Sequence, residues 1–138
     1  MDDTAIFRAY IEANRRVQAE AHGNQQIPLG VLNTFLGVAI WGDDKAQRGE
    51  PATLEDLAEK LGMAPTTISQ NIRYLSDKYR KEDDGLDLVT TEIYPLNRRK
   101  KTFRLTHKGR ALASQIAYIL GRAHDAGASN RETVPSNG

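Results

Sequence analysis

The chain has no cysteine. That absence excludes disulfides, thiol nucleophiles, thiol redox sensing and thiolate metal sites together. Long apolar runs are missing too: nothing approaches the ~20 residues that a membrane span needs. The acidic start, MDDTAIFRAY, lacks the basic-then-apolar layout of a secretory signal. No charge sign dominates, because 19 Lys and Arg against 18 Asp and Glu leave a net +1. Attraction to a polyanion must therefore come from a local cluster. The three histidines, His22, His107 and His124, stand apart with no carboxylate at ligand spacing, which argues against a metal. The acidic stretch KEDDGLD lacks the spacing of a calcium loop and reads as solvated. No Ser-His-Asp order, glycine-rich phosphate loop or carboxylate pair stands out, so the expectation is a protein that is not an enzyme and has no cofactor. At 138 residues, 39% hydrophobic and 27% charged, the composition suits one small soluble domain, expected in the cytoplasm.

What is present is periodic. Residues 4–21 carry Ile6, Tyr10, Ala13, Val17 and Ala21 at helical spacing, widened by Phe7 and Ile11. The run IPLGVLNTFLGVAIWG places Leu29, Leu32, Phe35, Leu36, Ala39 and Ile40 at three- and four-residue steps, with Pro28 near its start. A polar loop, GDDKAQRGEPA, follows. In TLEDLAEKLG, Thr53 is the expected N-cap with Asp56 three residues on, and Gly62 is placed to close the helix in a left-handed conformation. Pro65 then opens PTTISQNIRYLSDKY, predicted helical over about 65–79, which buries Ile68, Ile72, Leu75 and Tyr79. From Leu88 the period changes to two, and LVTTEIY and TFRLT read as strands joined by PLNRRK. A last helix carries Leu112, Ile116, Ile119 and Leu120, and the polar tail 127–138 is expected to be disordered.

Helix, three-residue turn, helix and two-stranded ribbon make a winged helix-turn-helix. Its second helix offers short polar side chains to a major groove. Pro65, Thr66, Thr67, Ser69, Gln70, Asn71 and Arg73 form that face, with Gln70 and Asn71 suited to adenine and Arg73 to guanine or phosphate. The ribbon tip holds Asn97, Arg98, Arg99, Lys100 and Lys101, and no acid occurs between Ile93 and Leu112. Charge runs are usually solvated faces; the position at a hairpin tip and the helix pair upstream favour a minor-groove contact here. Thr53, Lys108 and Arg110 are candidates for phosphate contacts. The cations at 108 and 110 oppose their helix dipole, which a nearby phosphate would make natural.

From about Thr53 to Leu112 the chain resembles the MarR family of winged-helix transcription factors. TLEDLAEKLGMAPTTISQNI matches the reading unit and NRRKKTFRLTHKGRAL the wing and following helix, with Asn97, Arg98, Arg99, Leu105, Thr106, Lys108, Gly109 and Arg110 in register. Two departures stand out. Asn97 replaces the acid usual at the wing, and SDKYRKEDDGLD is longer than the family's connection, so a longer recognition helix or a bulging loop is expected. The resemblance implies a mainly α fold with a two- or three-stranded antiparallel wing. Residues 1–27 and 106–126 would form a dimerisation region, and 28–105 the DNA-binding domain with its wing over about 88–105. It also implies a homodimer on a pseudo-palindromic operator, acting as a repressor, with Arg99 and then Arg98 entering the minor groove. Trp41 and Phe35 could line a pocket for a small aromatic effector, although core packing is the favoured explanation for them. Two other functions use the same fold: plasmid or phage replication initiation, and a protein–protein interaction module.

Overall fold

The computed structural model describes residues 3–23, 25–42, 52–80 and 83–133, with side chains described as far as His124 and Arg80 excepted. The polar loop expected after Gly42 falls almost wholly outside these residues, as does the end of the tail. The elements in order are α1 Asp3–Gln18, α2 Leu29–Trp41, α3 Leu54–Leu61, α4 Pro65–Leu75, β1 Lys78–Arg80, β2 Asp83–Asp84, β3 Val89–Ile93, β4 Lys101–Leu105 and α5 His107–Thr133. The fold is mainly helical with a small antiparallel wing, as the two periodicities predict. Two compact units divide it, one of residues 1–20 with 112–138 and the other of 21–111.

In the second unit α2 is the helix on which α3, α4 and β4 pack. Its buried residues are Val31, Thr34, Phe35, Gly37 and Val38. The expected stripe is therefore rotated: Leu29 and Ile40 lie outside, exposed. A helix apolar on nearly every side gives periodicity little purchase on which face is covered. Fully buried Thr34 is satisfied, since its hydroxyl donates to the Gly30 carbonyl at 2.8 Å and accepts from Asn71 Nδ2 at 3.1 Å.

Local chemistry sets the helix-turn-helix as expected. Thr53 Oγ1 accepts from the Asp56 amide, and Asp56 Oδ2 accepts from the Thr53 amide at 2.9 Å, closing a capping box. Gly62 ends α3 at φ +66°, a left-handed conformation that costs glycine nothing. Pro65 occupies the first turn of α4, where its missing N–H is no loss.

After Leu75 the structure corrects the expectation of a longer recognition helix. α4 stops there, and β1 and β2 pair as a short antiparallel ribbon. The cause lies downstream. Leu86 and Leu88 are fully buried, and their segment runs back along the end of α4. Leu86 N–H donates to the Tyr74 carbonyl at 2.9 Å, Asp87 N–H to Ser76 at 3.0 Å and Leu88 N–H to Leu75 at 2.7 Å. Carbonyls that a continuing helix would use are thereby taken. Tyr79, expected on the helix, sits on β1 with its ring edge-on to Tyr74 at 5.1 Å.

β3 and β4 pair in register from Val89↔Leu105 to Ile93↔Lys101, and a single bridge, Thr53↔Thr102, adds a rudimentary third strand. Phe103 and Leu105 are buried and root the wing in the core. In the other unit the buried residues of α1 are Ala9, Ala13 and Val17, whereas Phe7, Tyr10 and Ile11 are 63%, 60% and 54% exposed. α1 and α5 are joined by Arg16 Nε donating to Gln115 and by an Arg122–Glu12 ion pair at 3.3 Å. α5 runs on to Thr133, so the helical backbone reaches past residue 127, where the expected disordered tail begins.

Candidate nucleic-acid interface

α4 turns Ile68, Ile72 and Leu75 inward, and at 3.6 residues per turn the intervening positions face out. Thr66, Thr67, Ser69, Gln70 and Arg73 are all exposed, and Pro65 is exposed at the helix start. No side chain caps that N-terminus, so its first amides have no protein acceptor of this kind. Asn71 departs from the expected reading face. It is half-buried and its Nδ2 donates to Thr34 Oγ1 and, at 3.4 Å, to the Gly30 carbonyl, so it ties α4 to α2.

Beyond the strands the wing tip is two consecutive β-turns. Asn97 N–H donates to the Tyr94 carbonyl at 3.1 Å, which puts Pro95 and Leu96 at the centre of the first turn. Lys100 N–H donates to the Asn97 carbonyl at 2.9 Å, which puts Arg98 and Arg99 at the centre of the second. Asn97 is the pivot: its Oδ1 accepts from the Arg99 amide at 3.1 Å, an Asx turn that fixes the path of the arginines. The residue that departs from the family pattern thus has a job in shaping the tip. Arg98, Arg99 and Lys101 are exposed and have no acidic partner among the described residues. Lys100 is half-buried and lies 3.8 Å from Glu55, and Arg104 pairs with Glu92 at 3.1 Å.

Between α4 and the wing runs an open groove of about 490 Å³, with Ser69 and Arg73 on one wall and Arg99, Lys100 and Lys101 on the other. Lys78, from β1, joins the same groove, where its hydrogen bond to Asp84 and that carboxylate's charge hold its ammonium above the ordinary value. The groove has five cations against the carboxylates of Glu55 and Asp77. Lys78 escaped the reading of the sequence because its segment was assigned to the helix.

The three other phosphate candidates all make internal contacts. Thr53 is buried and committed to its capping box. Lys108 Nζ donates to the Leu86 carbonyl at 3.1 Å, and Arg110 Nη1 to the Leu105 carbonyl at 3.2 Å. The two cations that oppose the dipole of α5 each satisfy a carbonyl at the wing's base while remaining exposed. Phe35 belongs to the core, and Trp41 carries the Lys60 ammonium 5.3 Å from its ring centre. Across α4 from the wing, a second groove of about 830 Å³ is lined by His22, Gln70, Tyr74, Tyr79 and Asp83, among others. Burial, and then Tyr79, raises the Tyr74 phenol above its ordinary value. Among the described residues no cluster of His, Asp or Glu could hold a metal, and no helix is long and apolar enough to cross a membrane.

No protein-family model matches the chain, and no curated protein matches it in sequence. Solved structures do match in shape. The MepR–DNA complex of S. aureus aligns over 91% of this chain and 86% of its own, at a TM-score of 0.63 and 14% identity. A MarR-like transcriptional regulator from Thermotoga maritima aligns over 94% and 82%, at 0.56 and 21%. MarR itself aligns over 92% and 78%, at 0.54 and 18%. Identities this low speak to architecture alone, and the architecture agrees with the wing motif and the helix-turn-helix spacing: this chain has the winged helix-turn-helix fold of the MarR-type regulators.

Proposed function

We propose that this protein is a sequence-specific, double-stranded DNA-binding regulator of transcription that works as a homodimer in the cytoplasm. The observation that carries the reading is the groove with Ser69 and Arg73 of α4 on one wall and Arg99, Lys100 and Lys101 of the wing on the other. Gln70 is the candidate for reading adenine, Thr66, Thr67 and Ser69 for phosphates and thymine methyls, and Arg73 for guanine or phosphate. Arg99 and Arg98 enter the flanking minor groove, where the negative potential favours guanidinium. A dimer is supported by Phe7, Tyr10 and Ile11 on α1 and Tyr118 on α5, four large apolar residues more than half exposed, which a second copy would cover. Seated on a pseudo-palindromic operator, such a dimer blocks other proteins from that DNA, the action of a repressor. The polar reading face argues against a protein-interaction module, which needs an apolar one.

Salt dependence tests the reading. Arg73, Arg98, Arg99 and Lys101 are exposed and have no acidic partner among the described residues, which gives four such cations per protomer, eight per dimer. Titrating a labelled mixed-sequence duplex should then give a slope of log K against log salt near −7, or ~10⁴-fold weaker binding at 200 than at 50 mM. Binding that is absent, or indifferent to salt, contradicts the proposal.

A further inference from the structure

The tip of the wing carries something the charge run does not explain. Leu96 is 81% exposed, more than any other large apolar residue described. It is not in the core, and the turn does not ask for it: Leu96 does not take a positive φ, and a turn of that kind accepts most residues at this position. It is also rigidly presented. Pro95 locks its own φ, the Tyr94 carbonyl accepts from Asn97, and Tyr94 N–H donates to the Lys100 carbonyl at 2.9 Å, closing the loop beneath it. On the strand below, Ile93 is 59% exposed. Immediately beyond, Arg98 and Arg99 form the centre of the adjoining turn with no acidic partner among the described residues. A stiff apolar point beside unpaired guanidiniums is the combination that pries apart a base step from the minor groove: the arginines hold the backbone and the apolar group replaces lost stacking.

We propose that Leu96 is a wedge that inserts between two base pairs in the minor groove flanking each half-site and kinks the DNA. This rests on the DNA-binding reading above and goes beyond it, because it assigns the protein a deforming action and a source of specificity without hydrogen bonds. Pyrimidine–purine steps, TA and CA, unstack most easily and are the expected targets. The wedge then selects for a flexible step at the flank, outside the bases that α4 touches.

The test uses the full chain on duplexes recovered by its own selection from random DNA, with 2-aminopurine walked through the flanks. A second label pair at the duplex ends reads the bend by energy transfer. The wild-type protein should brighten 2-aminopurine at one step per half-site and bend the duplex by about 20–90°. Leu96→Ala should bind with the same salt slope while losing both the brightening and the bend, and Leu96→Met, apolar and of similar reach, should keep them. Bending and unstacking that are equal in wild type and Leu96→Ala, or absent from the wild-type complex, overturn the wedge and leave DNA binding intact. A wild-type chain that selects no duplex overturns the DNA-binding reading and the wedge with it.

Discussion

Neutralising the wing tip, with Arg98, Arg99 and Lys101 all replaced by alanine, should weaken binding to duplex DNA by ~10⁴-fold at physiological salt. The figure follows from counting. Three unpaired cations are lost per protomer, six per dimer. Each releases about 0.9 counterions on B-DNA, so the salt slope should fall by about 5, from near −7 to near −2. Extended to 1 M salt, where the electrostatic contribution fades, that slope corresponds to roughly 5–6 kcal/mol at 0.15 M. The fold should be untouched, because all three side chains are exposed and none is paired with an acid among the described residues. Fluorescence anisotropy at several salt concentrations, with a thermal melt as control, gives both answers. A triple variant that keeps the wild-type slope would move the DNA contact away from the wing.

Gly109→Ala should lower stability by about 3 kcal/mol, although helix propensity alone predicts a gain approaching 1 kcal/mol. Gly109 lies in the first turn of α5, and a Cβ there would sit 2.0 Å from the Leu88 carbonyl oxygen, with Leu105 Cβ at 3.3 Å. The close partner is backbone and cannot rotate away. Leu88 is itself fixed, since it is fully buried, its N–H is bonded to Leu75 and its carbonyl accepts from Thr106 at 3.0 Å. Thr106 Oγ1 completes the lock by donating to the Asp87 carbonyl at 2.7 Å and accepting from the Gly109 amide at 3.0 Å. Any shift of α5 to admit the methyl group breaks these bonds at the base of the wing. For a domain of this size the loss corresponds to a midpoint lower by roughly 10 °C. An unchanged or raised midpoint would mean that α5 and the segment after β2 do not meet as described.

Much of this architecture was legible because the signals are local. A Thr-x-x-Asp cap, a glycine in left-handed conformation and a proline at N1 each act through their own neighbours, so Thr53, Asp56, Gly62 and Pro65 mark the helix pair from sequence. The wing was equally open to reading, because Phe103 and Leu105 alternate with polar residues at the period that a half-buried strand requires. Three features were not legible, each for a different reason. Tyr79 stands four residues after Leu75 and so continued the helical stripe. What ends α4 is a return segment, ten or so residues on, whose leucines occupy the helix's last carbonyls. Asn71 neighbours Gln70 in a run of polar residues, and only its contact with Thr34, on another helix, shows that it points inward. Phe7, Tyr10 and Ile11 form a helical stripe, but periodicity tells which residues share a face and is silent on whether the same chain covers it.

The wing tip shows the same limit from the other side. Its charge was plain in the sequence, but the division into an apolar turn and a cationic turn, hinged on Asn97, depends on hydrogen bonds that no periodicity encodes. The arginines alone suggest a grip on phosphate or the minor groove, and Leu96 beside them suggests that the grip also deforms what it holds.

The central claim, a two-fold DNA reader, is tested most directly by selecting bound duplexes from a random pool. Recovered sequences should converge on two inverted half-sites with centres about 10 base pairs apart, one helical turn, as two recognition helices related by a dyad require. A pool that stays unenriched, or converges on a single half-site without symmetry, would contradict it.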